Sequence, residues 1–442
     1  MASSIVWLCG LLSWISCAQI ATSSPADDWP HFLGPHMNGV WGETGTIDEF
    51  PAEGPEVVWR QSIAHGYGGP AVARGRLFVM DYVIRGGDPT PDPGRRNQLQ
   101  GTERILCLDA NTGSELWKVE YDEPYNISYP NGPRCTPTVD GDYVFTLGSE
   151  GRLMCLRIRD GSEAWSRRLK ADYNLTEAPF WGYSSHLLVH GDLLFSLVGG
   201  RESTVVAFNK HNGQEVWRAL TAEEPGYCPP ILIKRGPVEQ LVVWTPESIN
   251  GLNPQTGEVS WSFPLVPQYG MSIAPPRLEG DYLYACGIGS ASILIRFHRD
   301  APTAEMVWSG KGFNTSFSPI YSADGHAYGV DTSGKLRCIE LLTGNRKWET
   351  TEPTTGGRPA NSGSGFIVRN GDRFFIAGEN GVLTIARMSP EKYETISSAK
   401  LLEPTQDSFG RPVVWCQPAY AQGCIFWRND KEIICVSLKK QP

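Results

Sequence analysis

A glycine followed four residues later by a tryptophan recurs along this chain inside an eleven-residue unit, and no other feature restricts its fold as much. The unit runs from Cys107 through Gly113 to Trp117, from Cys155 through Gly161 to Trp165, and from Ala207 through Gly213 to Trp217. It returns from Gly251 through Gly257 to Trp261 and from Cys338 through Gly344 to Trp348. Trp308 ends a diverged copy in which Ala304 stands for the glycine. Successive tryptophans lie 40 to 52 residues apart, the period of a four-stranded propeller blade.

Each unit reads as a hairpin. Alternating runs such as Arg104 to Leu108 and Ser114 to Lys118 are half-buried strands. The Asn-Thr-Gly or Asp-Gly between them supplies the left-handed backbone of a tight turn. A tryptophan on the outer strand then lies flat between neighbouring blades, so Trp117, Trp165, Trp217, Trp261, Trp308 and Trp348 are expected to be structural docking residues.

A second periodicity counts the blades. Short strands bracket turns at Gly75, Gly141, Gly191, Gly236, Gly280, Gly325, Gly371 and Gly423, eight inner hairpins in all. The seventh blade, about Ser362 to Glu403, ends in Tyr393-Glu-Thr-Ile without a tryptophan. The eighth has three strands, expected near Val413, Ile425 and Ile434. Glu56 to Arg60 resembles an outer strand with no hairpin before it, and giving it to the last blade removes two exposed edges. The expected fold is all-β: an eight-bladed β-propeller of four-stranded blades, closed by pairing the N-terminal strand with the last blade. Seven blades is the competing count. The expected organisation is a signal peptide over 1–26, a lead-in segment over 27–55 and one propeller domain over 56–442.

Composition agrees with a turn-rich β chain, with 48 glycines and 33 prolines in 442 residues. The net charge is −9 without a basic stripe, which argues against nucleic-acid binding. Ile5 to Ile15 is an apolar run too short to span a bilayer comfortably, followed by small residues with candidate cleavage after Ala18 or Ala26. No Lys or Arg precedes the run. Cys17 raises a lipoprotein reading, although Trp14 stands where Leu is usual. The expected location is exported, in the periplasm or against an outer membrane. Cys107, Cys155, Cys338 and Cys435 fall at one position in different blades; neighbouring packed sheets lie about 10 Å apart, beyond disulfide reach, so they are read as unbridged buried thiols.

No motif of hydrolytic, P-loop or zinc chemistry occurs, so no catalytic or metal-ligating residue is assigned. His186 and His190 flank a turn and read as ordinary histidines, and His31 and His36 lack carboxylate or Cys company. Binding is expected instead in the central funnel, where segments leading into the innermost strands carry Tyr67, Arg134, Trp181, Tyr183, Tyr227, Asn314 and Arg358. Arg134, stiffened by Pro133 and Pro137, is expected to point at the axis and pair internally or meet an anionic ligand. Arg85 to Asn97, rich in Pro and Gly, reads as an exposed flexible loop.

The A/C-x-D-x-x-T-G-x-x-x-W unit resembles the tryptophan-docking motif of quinoprotein-type, PQQ-like β-propellers. Trp29 to Pro35, with Asn38, Gly39 and Glu43, resembles the opening of exported bacterial PQQ-like repeat proteins of the planctomycete type, often described as BamB-like. Gly132 to Asp142 and Phe180 to Tyr183 are similar to the same subfamily, which usually has Arg where Leu33 stands here. The resemblance implies a protein or peptide partner, within envelope assembly. Quinoprotein dehydrogenases, which resemble the repeat, use a vicinal Cys–Cys disulfide, a calcium ion and an Asp base. No Cys-Cys pair occurs here, and neither PQQ nor any other cofactor is expected. The leading expectation is a non-catalytic exported scaffold. A PQQ-dependent dehydrogenase and a small-ligand or carbohydrate sensor are the alternatives.

Overall fold

A computed structural model describes residues 28–440; the expected leader, with Cys17, Ala18 and Ala26, lies outside the described residues. Eight antiparallel sheets, each with four principal strands, follow one another in chain order around a ring. The first blade is Ala71–Ala73, Arg76–Gly87, Asn97–Asp109 and Glu115–Asp122. The last is Ala419–Ala421, Cys424–Arg428, Glu432–Ser437 and, from the other end of the chain, Val57–Ser62. Val57–Ser62 pairs antiparallel with Glu432–Ser437, Trp59 facing Cys435, so the ring closes through its two termini.

The inner strand of that last blade differs from the expectation near Val413. Arg411–Val413 instead pairs with Gln406–Ser408 as a separate hairpin in front of the blade. Phe409 and Gly410 both have positive φ, 50° and 75°, the two-residue turn that joins antiparallel strands tightly. Val413 pairs with Gln406 across this local turn and is not part of the blade.

The tryptophans dock as their spacing implies. The indole N–H of Trp59 donates to Ala110 O at 2.9 Å, Trp117 to Ile158 O at 2.9 Å, and Trp165 to Lys210 O at 2.9 Å. Trp217 donates to Pro254 O at 3.0 Å, Trp308 to Leu341 O at 2.9 Å and Trp348 to Ser389 O at 2.8 Å, each acceptor lying in the following blade. A Cβ on Gly113, Gly161, Gly213 or Gly257 would come within 2.6–2.7 Å of the indole of the preceding blade. Those glycines also have φ of 70–76°, so two independent constraints fix the residue type.

Trp261 departs from the pattern. The next blade offers Ala304 where the glycine belongs, and Trp261 turns into its own blade. Its N–H donates to Gln240 Oε1 at 2.5 Å, and its ring covers Gly251, where a Cβ would sit 2.1 Å away. In the seventh blade Ser397 faces Ile385 at the tryptophan's register position. Its hydroxyl accepts the Phe50 N–H at 2.9 Å, so the lead-in segment fills that seam.

The lead-in segment also closes one end of the central channel. Trp29 exchanges backbone bonds with Val72 of blade one, and Pro30 O accepts from Val139 of blade two. Arg277 of blade five donates to Met37 O, and Trp41 N–H donates to Arg369 O of blade seven. Residues 29–41 therefore cross the ring on the face of the inner-hairpin turns. Trp29 lies on Gly34, whose φ of 80° and closeness to the indole, 2.9 Å from a Cβ, permit only glycine.

Nine described cysteines are free and buried. Cys107, Cys155, Cys338 and Cys435 each face a docking tryptophan across the third and outer strands. No helix among the described residues is long and apolar enough to cross a membrane.

Candidate functional site

In an up-and-down blade the connections between second and third strands and those between blades share one face. Those connections surround a cavity of about 1250 Å³, floored by Phe32 of the lead-in segment. Its lining is aromatic, hydroxyl and amide in character, with Arg134 and Glu224 its two charged side chains.

Tyr67, Arg134, Trp181, Tyr227 and Asn314, among the residues read from sequence, line this cavity. Tyr183 does not. It is buried between blades two and three, its hydroxyl donating to Val198 O at 3.0 Å and its ring on Gly151. Arg358 is exposed outside the lining.

Arg134 donates Nη1 to Gly132 O at 3.0 Å and Nη2 to Ser128 O and Tyr129 O at 2.9 and 2.5 Å. Its guanidinium lies 4.9 Å from the Tyr67 ring centre, and its hydrogen bonds among the described residues go to carbonyls and not to a carboxylate. Burial holds its pKa below the ordinary arginine value. Glu224 is committed to the wall, accepting the Phe180 N–H at 2.8 Å and the Tyr227 hydroxyl at 2.8 Å. Burial, then the Glu224 carboxylate, raises the Tyr227 phenol well above its usual range.

His186 sits near the floor, stacked on Phe32 with ring centres 3.6 Å apart. Its Nδ1 accepts the Thr136 N–H at 2.9 Å, which places the proton on Nε2. Burial lowers its pKa to about 3, so it stays neutral. His190 instead faces Glu239 at 3.2 Å, away from the cavity.

Trp415 packs against Phe317 at 4.9 Å, Tyr129 at 6.0 Å and Tyr67 at 6.4 Å between ring centres. Four buried polar atoms of the lining have no hydrogen-bond partner: Tyr67 OH, Trp415 Nε1, Ser316 Oγ and Gln417 Oε1. Buried polar groups are ordinarily paired.

The mouth carries backbone strain. Tyr129, Tyr269, Ser362 and Phe409 line the cavity with φ of 51°, 61°, 51° and 50°, a region costly for bulky side chains. Tyr269 is 70 % exposed and Phe409 54 %, so the strain presents two aromatic rings to solvent. Sequence reasoning missed both. Their signal was an aromatic followed by glycine, Tyr269-Gly270 and Phe409-Gly410, between polar or Pro-rich flanks. Trp415 was missed because it lay in a segment read as strand.

Arg85 to Asn97 is exposed over most of its length, as expected, but it is tied to the blade at both ends. Its ends extend two strands of blade one, and Pro93 and Gly94 form part of the cavity wall. Arg96 donates to Asn126 O at 2.9 Å and Ala178 O at 3.0 Å, and Asp92 O accepts from Ser128 at 2.6 Å.

The profile of the family described as outer membrane protein assembly factor BamB matches residues 43–127, 101–350 and 245–441. The chain belongs to this family. Among curated proteins none matches its sequence. The crystal structure of BamB from Moraxella catarrhalis superposes with a TM-score of 0.56 at 16 % identity, over 86 % of this chain and 98 % of that one. The computationally designed Ika8 protein superposes at 0.53 with 10 % identity, over 87 % of this chain and 100 % of that one. A europium-containing methanol dehydrogenase reaches 0.49 at 13 % identity, over 81 % and 90 %. At these identities the likeness is one of fold.

Proposed function

We propose that this protein is an exported, non-catalytic propeller that binds a protein or peptide partner at the funnel mouth, in envelope assembly. The observation that carries the reading is the pair of aromatic rings, Tyr269 and Phe409, held out to solvent on left-handed backbone at the rim. Strain of that kind persists where the surrounding structure imposes it and is concentrated at binding sites. Rigid aromatic anchors over a concave floor are what a partner's inserted side chain needs. Membership of a family named for an outer membrane assembly factor supports the envelope setting.

The lining does not fit PQQ with calcium. That cofactor carries several carboxylates, whereas the cavity offers Arg134 with three of its hydrogens already on carbonyls. Calcium asks for several oxygen ligands. The single lining carboxylate, Glu224, is engaged with Phe180 and Tyr227.

A photo-crosslinking residue at position 269 tests the reading. In native envelope extract it should give a discrete protein adduct, while the same residue at Leu116, exposed on the outer strand of blade one, should give none. No adduct at 269, or the same adduct at both positions, would contradict it.

A further inference from the structure

We infer that the funnel seats the C-terminal residue of its partner, with Arg134 and the Tyr67 hydroxyl receiving the carboxylate and Gln417 receiving the preceding amide N–H. The inference rests on the partner-binding reading and names the group recognised.

Arg134 carries the argument. A guanidinium has five N–H donors, and three here go to the carbonyls of Gly132, Ser128 and Tyr129. Nε and one hydrogen of Nη1 have no partner among the described residues, and Arg134 lines the cavity. The charge meets carbonyl dipoles and the Tyr67 ring but no carboxylate among the described residues. A half-buried cation without a counter-ion is costly, and a carboxylate is its matched partner.

The orphaned atoms are independent of that charge. Tyr67 OH and Trp415 Nε1 are buried donors without acceptors, on rings 6.4 Å apart, and Arg134 lies over one of those rings. Gln417, two residues beyond Trp415 and 5 % exposed, spends its Nε2 on Phe32 O at 2.9 Å and leaves Oε1 without a donor. Donors for an anion beside an acceptor for an N–H are the complement of an acylated amino acid with a free carboxylate. Trp415 and Phe317, 4.9 Å apart, add an apolar wall for its side chain. Asp430 is the acid that acts on Tyr67 through its charge, but its oxygens are taken by Gly66, Asn131 and Gln406. A chain end is favoured over an internal acidic side chain because Gln417 then meets the amide N–H of the same residue.

The test uses the peptide Gly-Ser-Gly-Phe with a free carboxylate, the same peptide as its C-terminal amide, and N-acetylphenylalanine, each titrated by calorimetry. The acid peptide should bind about tenfold more tightly than the amide, the size expected of one charge-assisted pair. Arg134→Gln should erase the ratio. Tyr67→Phe removes a hydroxyl that has no partner, so it should weaken the acid about threefold while melting no lower than the parent. Acid and amide binding alike, or neither binding, would overturn the carboxylate seat. N-acetylphenylalanine binding more tightly than the tetrapeptide would overturn the chain-end assignment. A protein adduct at position 269 with no acid preference would sink this inference alone and leave partner binding standing.

Discussion

Trp59, on the strand that closes the ring, lies against Gly113 of the first blade, and its indole N–H donates to Ala110 O at 2.9 Å. The N-terminal strand thus completes blade eight and docks it onto blade one with the same contact that joins blades along the chain. Trp59→Ala should cost about 3–5 kcal/mol, as for other large aromatics removed from cores. The loss should appear as one cooperative transition in denaturant. Removing residues through Arg60 should destabilise the ring further, and a truncated chain that melted like the parent would contradict the closure.

The misdirected Trp261 gives a second expectation. Its N–H depends on Gln240 Oε1, a buried side-chain acceptor, where its counterparts use backbone carbonyls of the next blade. Gln240→Leu leaves the indole N–H buried and unpaired, a loss of about 1–3 kcal/mol. Chemical denaturation of the variant measures it.

Much of this was legible in the chain because propeller physics is written locally. The Gly–Trp spacing reports two faces of one contact, and the eight inner turns sit at Gly75 through Gly423 with positive φ throughout. What was not legible depends on competition between segments. Val413 looked like an inner strand, yet Phe409-Gly410 folded it onto Gln406–Ser408 instead. Tyr183 and Arg358 shared a loop position with the lining residues, but a loop's sequence does not fix which side chain turns inward. Tyr183 found the Val198 carbonyl and the face of Gly151.

Buried ionisable groups make stability depend on pH in two directions. Glu123 is raised from 4.5 to about 7 by burial, then by the nearby Glu103 carboxylate. A carboxyl whose folded pKa lies above its unfolded value adds stability below about pH 4.5 and loses it as pH rises toward about 7. His31 and His186 are lowered by burial from 6.5 to about 4 and about 3. Their contribution is present above pH 6.5 and is lost as pH falls through the range between those values. Glu123→Gln should therefore flatten the fall in stability between about pH 5 and 7 and raise the unfolding free energy above pH 7 by an amount on the order of 1–3 kcal/mol, with a matching rise in melting temperature. Melting curves across that range decide it; an unchanged slope would contradict the assignment.

If the strained aromatic rim exists to hold a partner, relieving the strain should abolish that binding. Replacing both Tyr269 and Phe409 by glycine sets about 1–2 kcal/mol of relief at each site against about 0.5–1 kcal/mol of added chain entropy. The measurement is partner capture from native envelope extract by parent and double variant, with melting temperature followed in parallel. The double variant should melt at or above the parent and no longer retain the protein that crosslinks at position 269. A variant that melts higher and still captures that protein at the parent's level would contradict a partner-holding rim.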